Sequence, residues 1–367
     1  MAKFCLLADP ENYITTDPDL LNDSSARQYW FDLFEKHFEK VLQAADVAYG
    51  QRGSKRIESA RQQFIRFLEL LRNNPADTQG VLPDPPAGGV VKKPLGVMEL
   101  CQLREKVLRE NGLDDPFRHV KQRENAAAIQ AYPDVISRSA SLGPDERWEF
   151  LVRCIFAGNM FDLGSVATMD YASDMMDFNK VLQQVKPRPW LVDDFDKLEE
   201  LLPHQAVSPT PWAKVVVFVD NAGADFILGV IPFVRELAAH GTQIVLAANE
   251  LPSLNDITAD EAVDLLERIA QMDEELASYI SAGLFEVVST GNDVPLINLG
   301  EVSDELNAAA ADADLVILEG MGRSVESNLD ATFTVDSIYL CLLKDPFIAK
   351  QLGGELFDCV CMYKTEK

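Results

Sequence analysis

From about residue 213 onward the chain alternates apolar runs of strand length with helical patterns, and this alternation limits the fold more than any other feature. The runs at 214–219, 243–248, 284–288, 314–318, 337–343 and 356–362 are separated by helical stretches at 224–239, 259–274, 303–310, about 324–333 and 346–352. Such an order predicts an α/β fold: a mainly parallel sheet covered by helices on both faces. The stretch Val215-Val216-Val217-Phe218-Val219 reads as a fully buried strand. It stops abruptly at Asp220-Asn221, followed by Gly223 and a helical pattern.

The first half of the chain is of a different texture and predicts a large, nearly all-helical region. Tyr29, Phe31, Phe34, Phe38, Val41, Leu42 and Ala45 recur at helical spacing over 24–50, with Ser24 or Ser25 as N-cap. A second helix over 55–72 carries Ile57, Ala60, Phe64, Phe67 or Leu68, and Leu71 on one face. Aromatic stripes of this kind are expected in a core. Residues 74–94 hold five prolines and three glycines, which predicts a long loop. Helices resume at 97–130, after Pro144 (an N1 proline before Asp145 and Glu146), and at 173–185 and 195–202. The expected organisation is a helical region over 1–205 and an α/β sandwich over 206–367.

A formal net charge of -26 sets the chain against nucleic acid and anionic membrane surfaces. An anionic substrate then needs a local cation, from a metal or from a placed Lys or Arg. The six cysteines form no C-x-x-C pair and have no zinc spacing. Cys341, Cys359 and Cys361 sit in apolar runs, as buried thiols do. With no signal-peptide pattern and no apolar run of spanning length, a reducing, cytoplasmic setting is expected.

Polar residues cluster where the strands stop. Asn249 ends the run 243–248. Asp256 lies just before the capping box formed by Thr258 and Glu261. Glu319-Gly320-Met321-Gly322-Arg323 follows 314–318, and Lys344 follows 337–343. In a parallel sheet, ligands bind beyond the carboxyl ends of the strands, so Asp220, Asn221, Asn249, Asp256, Glu319, Arg323 and Lys344 gather at one edge. Any one of them reads equally as a helix cap. As a set they combine oxygen ligands for a hard divalent cation with fixed positive charge for an anion, the pairing phosphoryl chemistry uses. Upstream, Gly158-Asn159-Met160-Phe161-Asp162 places two polar side chains three apart; on composition alone a helix C-cap and turn is the simpler explanation of them. Other patterns fail. Ala222 stands where a haloacid-dehalogenase nucleophile would need its second Asp. Val325 stands where a dinucleotide loop beginning Gly320-Met321-Gly322 would need its third Gly. A Walker loop is absent, and His37, His119, His204 and His240 lie on no strand end.

Taken together, these residues resemble the damage-control phosphatase family of metal-dependent phosphatases. Gly158-Asn159-Met160-Phe161-Asp162 is similar to the family's Gly-Asn-x-x-Asp motif, and Asp220-Asn221 with Asp256 to its Asp-Asn-Asp metal triad. Glu319-Gly320-Met321-Gly322-Arg323 is similar to the motif of a subfamily that includes stand-alone plant proteins and the phosphatase domain behind a pantothenate-kinase paralogue. Lys344 resembles the family's phosphate-contacting lysine. The resemblance implies a helical region packed on an α/β sandwich. It implies a divalent cation (Mg or Mn, with Co or Ni also accommodated) on Asp220, Asn221 and Asp256. The implied substrate is a small phosphorylated metabolite, 4'-phosphopantetheine or its oxidised or sulfonated forms, removed ahead of coenzyme A synthesis. Sugar phosphates, a methyltransferase activity and a non-catalytic regulator are the alternatives. The missing Gly-rich loop counts against the methyltransferase, and intact Asp220, Asn221, Asp256 and Lys344 against the regulator.

Lys344 and Arg323 are expected to hold the phosphate, with Asn159, Asp162, Asn249 and Glu319 around the substrate. Glu319 has the alternative role of pairing with Arg323. No Ser, Cys or His nucleophile stands beside a base. The expected reaction is direct attack by metal-activated water, with Asp256 or a neighbouring carboxylate taking the proton; an aspartyl-phosphate on Asp220 is the covalent alternative.

Overall fold

The computed structural model describes residues 1–82, 95–160, 178–204 and 208–366. Its centre is a seven-stranded sheet: β1 (Val192–Asp193), β2 (Lys214–Phe218), β3 (Gln243–Ala248), β4 (Phe285–Ser289), β5 (Leu315–Glu319), β6 (Asp336–Leu342) and β7 (Cys359–Lys364), in the order β1-β7-β6-β5-β2-β3-β4. All pairs are parallel except β6 with β7. The α/β expectation therefore stands, with β7 and the edge strand β1 running opposite to the other five. Chain order runs outward from β2 through β3 to β4, then returns to the other side of β2 for β5 and β6. Val215 thus has Ile244 on one side and Leu315 on the other. The crevice between β2 and β5 is the topological switch point, where an open α/β sheet places its ligand.

The alternation along β2 divides the two faces. Val215, Val217 and Val219 pack with Ile317, Leu340 and the helices Pro144–Asn159, Ile231–Ala239 and Ala259–Ala270. Val216 and Phe218 face the other way, where Phe4 meets Phe218 edge-on with ring centroids 5.4 Å apart. The helices Ser24–Tyr49, Ser54–Asn73 and Val97–Glu110 form a further core with Leu254, Leu296, Met321, Val325 and Leu343. These last residues all follow strands, so the N-terminal helices lie over the end of the sheet where strand-end polar residues collect. The stretch 1–205 also supplies β1 at the sheet edge.

Several local expectations are corrected. The first helix is capped by Asp23, not by Ser24 or Ser25; its carboxylate accepts the N–H of Ser25 and of Ala26, both at 2.9 Å. The expected helix 259–274 stops at Ala270, and a second, unexpected helix, Glu274–Ser281, starts where Asp273 caps it by accepting the Leu276 N–H. The expected helix at 324–333 is a single π-helical turn, Gly322–Glu326. Side chains there compete for backbone partners. Ser324 donates to the Gly320 carbonyl, Ser327 to that of Gly322, and Asn328 to those of Arg323 and Ile297. The helix expected from 173 is described only over Phe178–Gln184, and the Pro/Gly-rich segment only as far as 82. All six cysteines are free thiols, Cys341, Cys359 and Cys361 among the buried ones. No described helix is long and apolar enough to cross a membrane.

Candidate active site

The switch point is where the strand-end residues meet. Asp220 and Asn221 leave β2, Glu319 ends β5, and an isolated backbone bridge joins Asn221 to Asp256. The expected capping box holds: Thr258 accepts the Glu261 N–H at 3.3 Å, and Glu261 accepts that of Thr258 at 3.0 Å. It fixes the start of helix Ala259–Ala270 and leaves Asp256 in the loop over the sheet. Gly320 is required here. Its φ of +88° is left-handed, and a Cβ would strike the Asp220 carboxylate.

Arg323 ties the two ligand loops together. Its guanidinium donates to Asp220 Oδ1, to Asp256 Oδ2 at 3.2 Å and to Asn249 Oδ1 at 3.2 Å. Asn249 in turn donates to Asp256 Oδ2 at 3.1 Å and to the Val294 carbonyl. Burial opposes the charged guanidinium, but Asp256 and Asp220 beside it hold its pKa above the usual value. Lys344, buried beyond the end of β6, places Nζ 3.8 Å from Asp220 Oδ2. Arg323 and Lys344 thus flank Asp220.

Behind Asp220 lies a second layer whose central residue the sequence reading passed over. Asp225, in the π-helical turn Asp225–Val230, accepts from Asn221 Nδ2 at 2.8 Å and from Asn159 Nδ2 at 2.7 Å. With both its N–H groups drawn toward Asp220 and Asp225, the Asn221 amide leaves its oxygen as the atom to ligate a cation. Asn159 also donates to Glu319 Oε1 at 2.5 Å, and Glu319 Oε2 accepts the Asp220 N–H at 2.8 Å. These contacts engage Glu319 with Asn159 and the Asp220 backbone. Gly158 allows this approach, since a Cβ would sit 2.6 Å from the Asp225 Cα. The polar pair after helix Pro144–Asn159 therefore divides: Asn159 belongs to the site, while Asp162 lies outside the described residues. The signal for Asp225 was present in Asp-Asn-x-x-x-Asp, which puts a carboxylate one helical turn beyond Asn221.

Asp220, Asp225 and Glu319 bring carboxylate oxygens within 4.8 Å of one another, all buried. Burial, then Asp220 nearby, pushes Asp225 up to about 7. Burial, with Asp225 and Asp220 alongside, raises Glu319 well above the usual carboxylate range. Like charges confined in this way favour protons or a cation. A cavity of about 320 Å³ opens above, lined at this end by Asp220, Asn221, Asp256 and Lys344. Asp225 and Glu319 are not among the described residues lining it. The oxygens that reach the cavity are carboxylate and amide, the donor set of a hard or borderline divalent cation, and the acidic cluster fits such an ion. The opposite wall comes from helix Ser24–Tyr49: Tyr29, Trp30, Phe34 and His37 line the same cavity. Part of the aromatic stripe, Tyr29 and Phe34, thus lines this space as well as packing with the core.

A mostly parallel α/β sheet thus gathers oxygen donors, a lysine and an arginine at its switch point, the pairing that phosphoryl chemistry uses. The chain belongs to the damage-control phosphatase ARMT1-like domain family, whose model matches residues 33–360, and this membership makes it a phosphatase. It is 43% identical over 307 residues to a damage-control phosphatase of Arabidopsis thaliana, covering 83% of this chain and 78% of that one. It is 31% identical over 413 residues to the 4'-phosphopantetheine phosphatase of Mus musculus, covering 98% of this chain and 48% of that protein. Against pantothenate kinase 2 of Arabidopsis thaliana, 36% identity runs over 98% of this chain and 41% of the relative. The chain thus spans under half of these two longer relatives. The crystal structure of a DUF89 family protein of Pyrococcus horikoshii shares the fold, with a TM-score of 0.62 and 19% identity over 92% of this chain and 98% of that one.

Proposed function

We propose that this chain is a divalent-cation-dependent phosphomonoesterase acting on 4'-phosphopantetheine and its oxidised or sulfonated forms, and so on metabolites that would otherwise enter coenzyme A synthesis. The observation that carries the reading is one cavity floored by Asp220, Asn221, Asp256 and Lys344 at the switch point of the sheet. The mouse relative's name supplies the substrate class.

Asp220, Asn221 and Asp256 would hold the cation, because among the oxygen donors lining the cavity they are the ones drawn together by the Asn221–Asp256 backbone bridge; Mg or Mn suits them, with Co or Ni accommodated. A divalent cation in that position offsets charge on the phosphoryl oxygens and favours ionised water. Lys344 binds the phosphoryl group directly. Arg323 bridges Asp220 and Asp256 and adds a second fixed positive charge. Asn249 steadies Asp256 and Arg323. Asp225, Glu319 and Asn159 orient Asp220 and Asn221 from behind. Asp256, with Oδ2 held by Asn249 and Arg323, takes the proton of the attacking water.

A screen of the purified protein against phosphorylated metabolites, sugar phosphates included, with Mg, Mn, Co and Ni in turn tests the assignment. Release of phosphate from 4'-phosphopantetheine supports it, and no release from any metabolite with any of the four ions defeats it. A substrate with a chiral phosphate then tests the path. Direct attack inverts the phosphorus, whereas an aspartyl-phosphate on Asp220 retains its configuration.

A further inference from the structure

The four tryptophans of the chain differ in one respect. Trp148 donates its indole N–H to the Pro203 carbonyl, Trp190 to that of Lys186 and Trp212 to an Asp336 oxygen, each at 3.1 Å. Trp30 is buried, at 4% exposure, yet its Nε1–H has no acceptor among the described residues. Burying an N–H without an acceptor is costly, and tryptophans in protein interiors normally find one. Trp30 also lines the cavity that Asp220 and Lys344 floor.

The ring is held firmly. Its centroid lies 5.5 Å from that of Tyr29, 6.1 Å from Phe347 and 6.4 Å from Phe34. Tyr29 ties this aromatic group to the lysine end of the site, donating its hydroxyl to Asp345 Oδ2 at 2.7 Å, one residue after Lys344. A phosphate at Lys344 therefore leaves the rest of its molecule in the space bounded by helix Ser24–Tyr49. A cavity of about 320 Å³ is of a size that takes a small metabolite.

Resting on the function proposed above, we propose that the Trp30 wall is the subsite for the substrate's amide-bearing chain, and that the Trp30 indole N–H donates to an amide carbonyl of that chain. Trp30 is a specificity-determining residue in this scheme and takes no part in phosphoryl transfer. A compact ester such as phenyl phosphate cannot present a carbonyl there.

The test is the ratio of kcat/KM for 4'-phosphopantetheine to that for phenyl phosphate, in the wild-type protein and in Trp30→Phe, which keeps an aromatic ring and removes the N–H. The loss of one hydrogen bond should lower this ratio about five- to tenfold. A wild-type measurement stands beside it: an analogue with a methylene in place of the recognised amide carbonyl should show a similar loss relative to 4'-phosphopantetheine. An unchanged ratio in Trp30→Phe, or full activity on every methylene analogue, overturns the subsite and leaves the phosphatase assignment standing. If the wild-type protein hydrolyses no phosphomonoester, the proposed function falls and this inference with it.

Discussion

Asn159 is the residue whose removal should be felt most directly in stability. Its single amide nitrogen donates to Asp225 Oδ1 at 2.7 Å and to Glu319 Oε1 at 2.5 Å, and all three side chains are buried. Asn159→Leu keeps the bulk and removes both bonds, along with the longer one that its Oδ1 accepts from the Leu342 N–H at 3.4 Å. A hydrogen bond contributes about 0.5–1.5 kcal/mol with a neutral acceptor and about 1.5–3 with a charged one. Burial raises both Asp225 and Glu319 toward their neutral forms, so each bond lies near the boundary, about 1.5 kcal/mol, and losing two costs about 3 kcal/mol. Glu319 keeps the Asp220 N–H at 2.8 Å and Asp225 keeps Asn221 at 2.8 Å. About 3 kcal/mol is a large share of the roughly 5–15 kcal/mol that holds a typical domain folded. With a urea m-value of about 3 kcal/mol per M, the unfolding midpoint should fall by about 1 M. Tryptophan fluorescence in urea, with a chelator present to exclude bound cations, measures it. A midpoint within about 0.3 M of wild type would refute the reasoning, since the two acids would then not depend on Asn159.

Lys344→Met should lower turnover by about 100-fold or more, as removal of a transition-state donor commonly does. Calorimetric titration with Mn should show cation affinity nearly unchanged; full turnover in this variant would remove Lys344 from the site. Glu326 offers a test in pH. Burial, then Asp345 and Asp17, with Asp220 adding and Lys344 opposing, push this acid from 4.5 up to about 8. The folded protein therefore keeps a proton that the unfolded chain releases, and wild-type stability falls as pH rises between those values. Glu326→Gln lacks this dependence, so its advantage over wild type should grow from pH 5 to pH 8 by up to about 1.4 kcal/mol per unit. A difference constant over that range in denaturant unfolding would contradict the assignment.

The sheet was legible because strands buried on both faces announce themselves as apolar runs, and because their sequence order dictates parallel pairing. Asp220, Asn221, Asn249, Asp256, Glu319, Arg323 and Lys344 follow from the same logic, and Thr258 with Glu261 fixes where Asp256 must lie. Asp225 did not emerge, since an acid at a helix start is explained by the helix itself. Only the approach of Gly158 and Asn159 from another helix gives it a further role, and that is a tertiary fact. The expected helix after Arg323 failed for a local reason, because Ser324, Ser327 and Asn328 occupy backbone carbonyls. The aromatic stripe on helix Ser24–Tyr49 was read correctly as periodicity. Periodicity says which residues share a face and not what that face meets. Phe31 and Phe38 meet the core alone, while Phe34, and Trp30 beside it, belong to the core and line the cavity as well.

The pairing of β2 with β5 also has a consequence in time. Asp220 and Glu319 are 99 residues apart in the chain, and they meet only when β5 docks beside β2. A ribosome adding about 5–20 residues per second delivers the first of them several seconds or more before the second. Through that interval Asp220 and Asn221 stand on the nascent chain without Glu319 behind them, Arg323 across from them or Lys344 above. Neither a cation nor a phosphate finds its full set of partners until the last strands are in place. With the roles proposed above, completion of the fold and competence to bind arrive together, and a chain stopped short of β6 carries the acidic residues without Lys344.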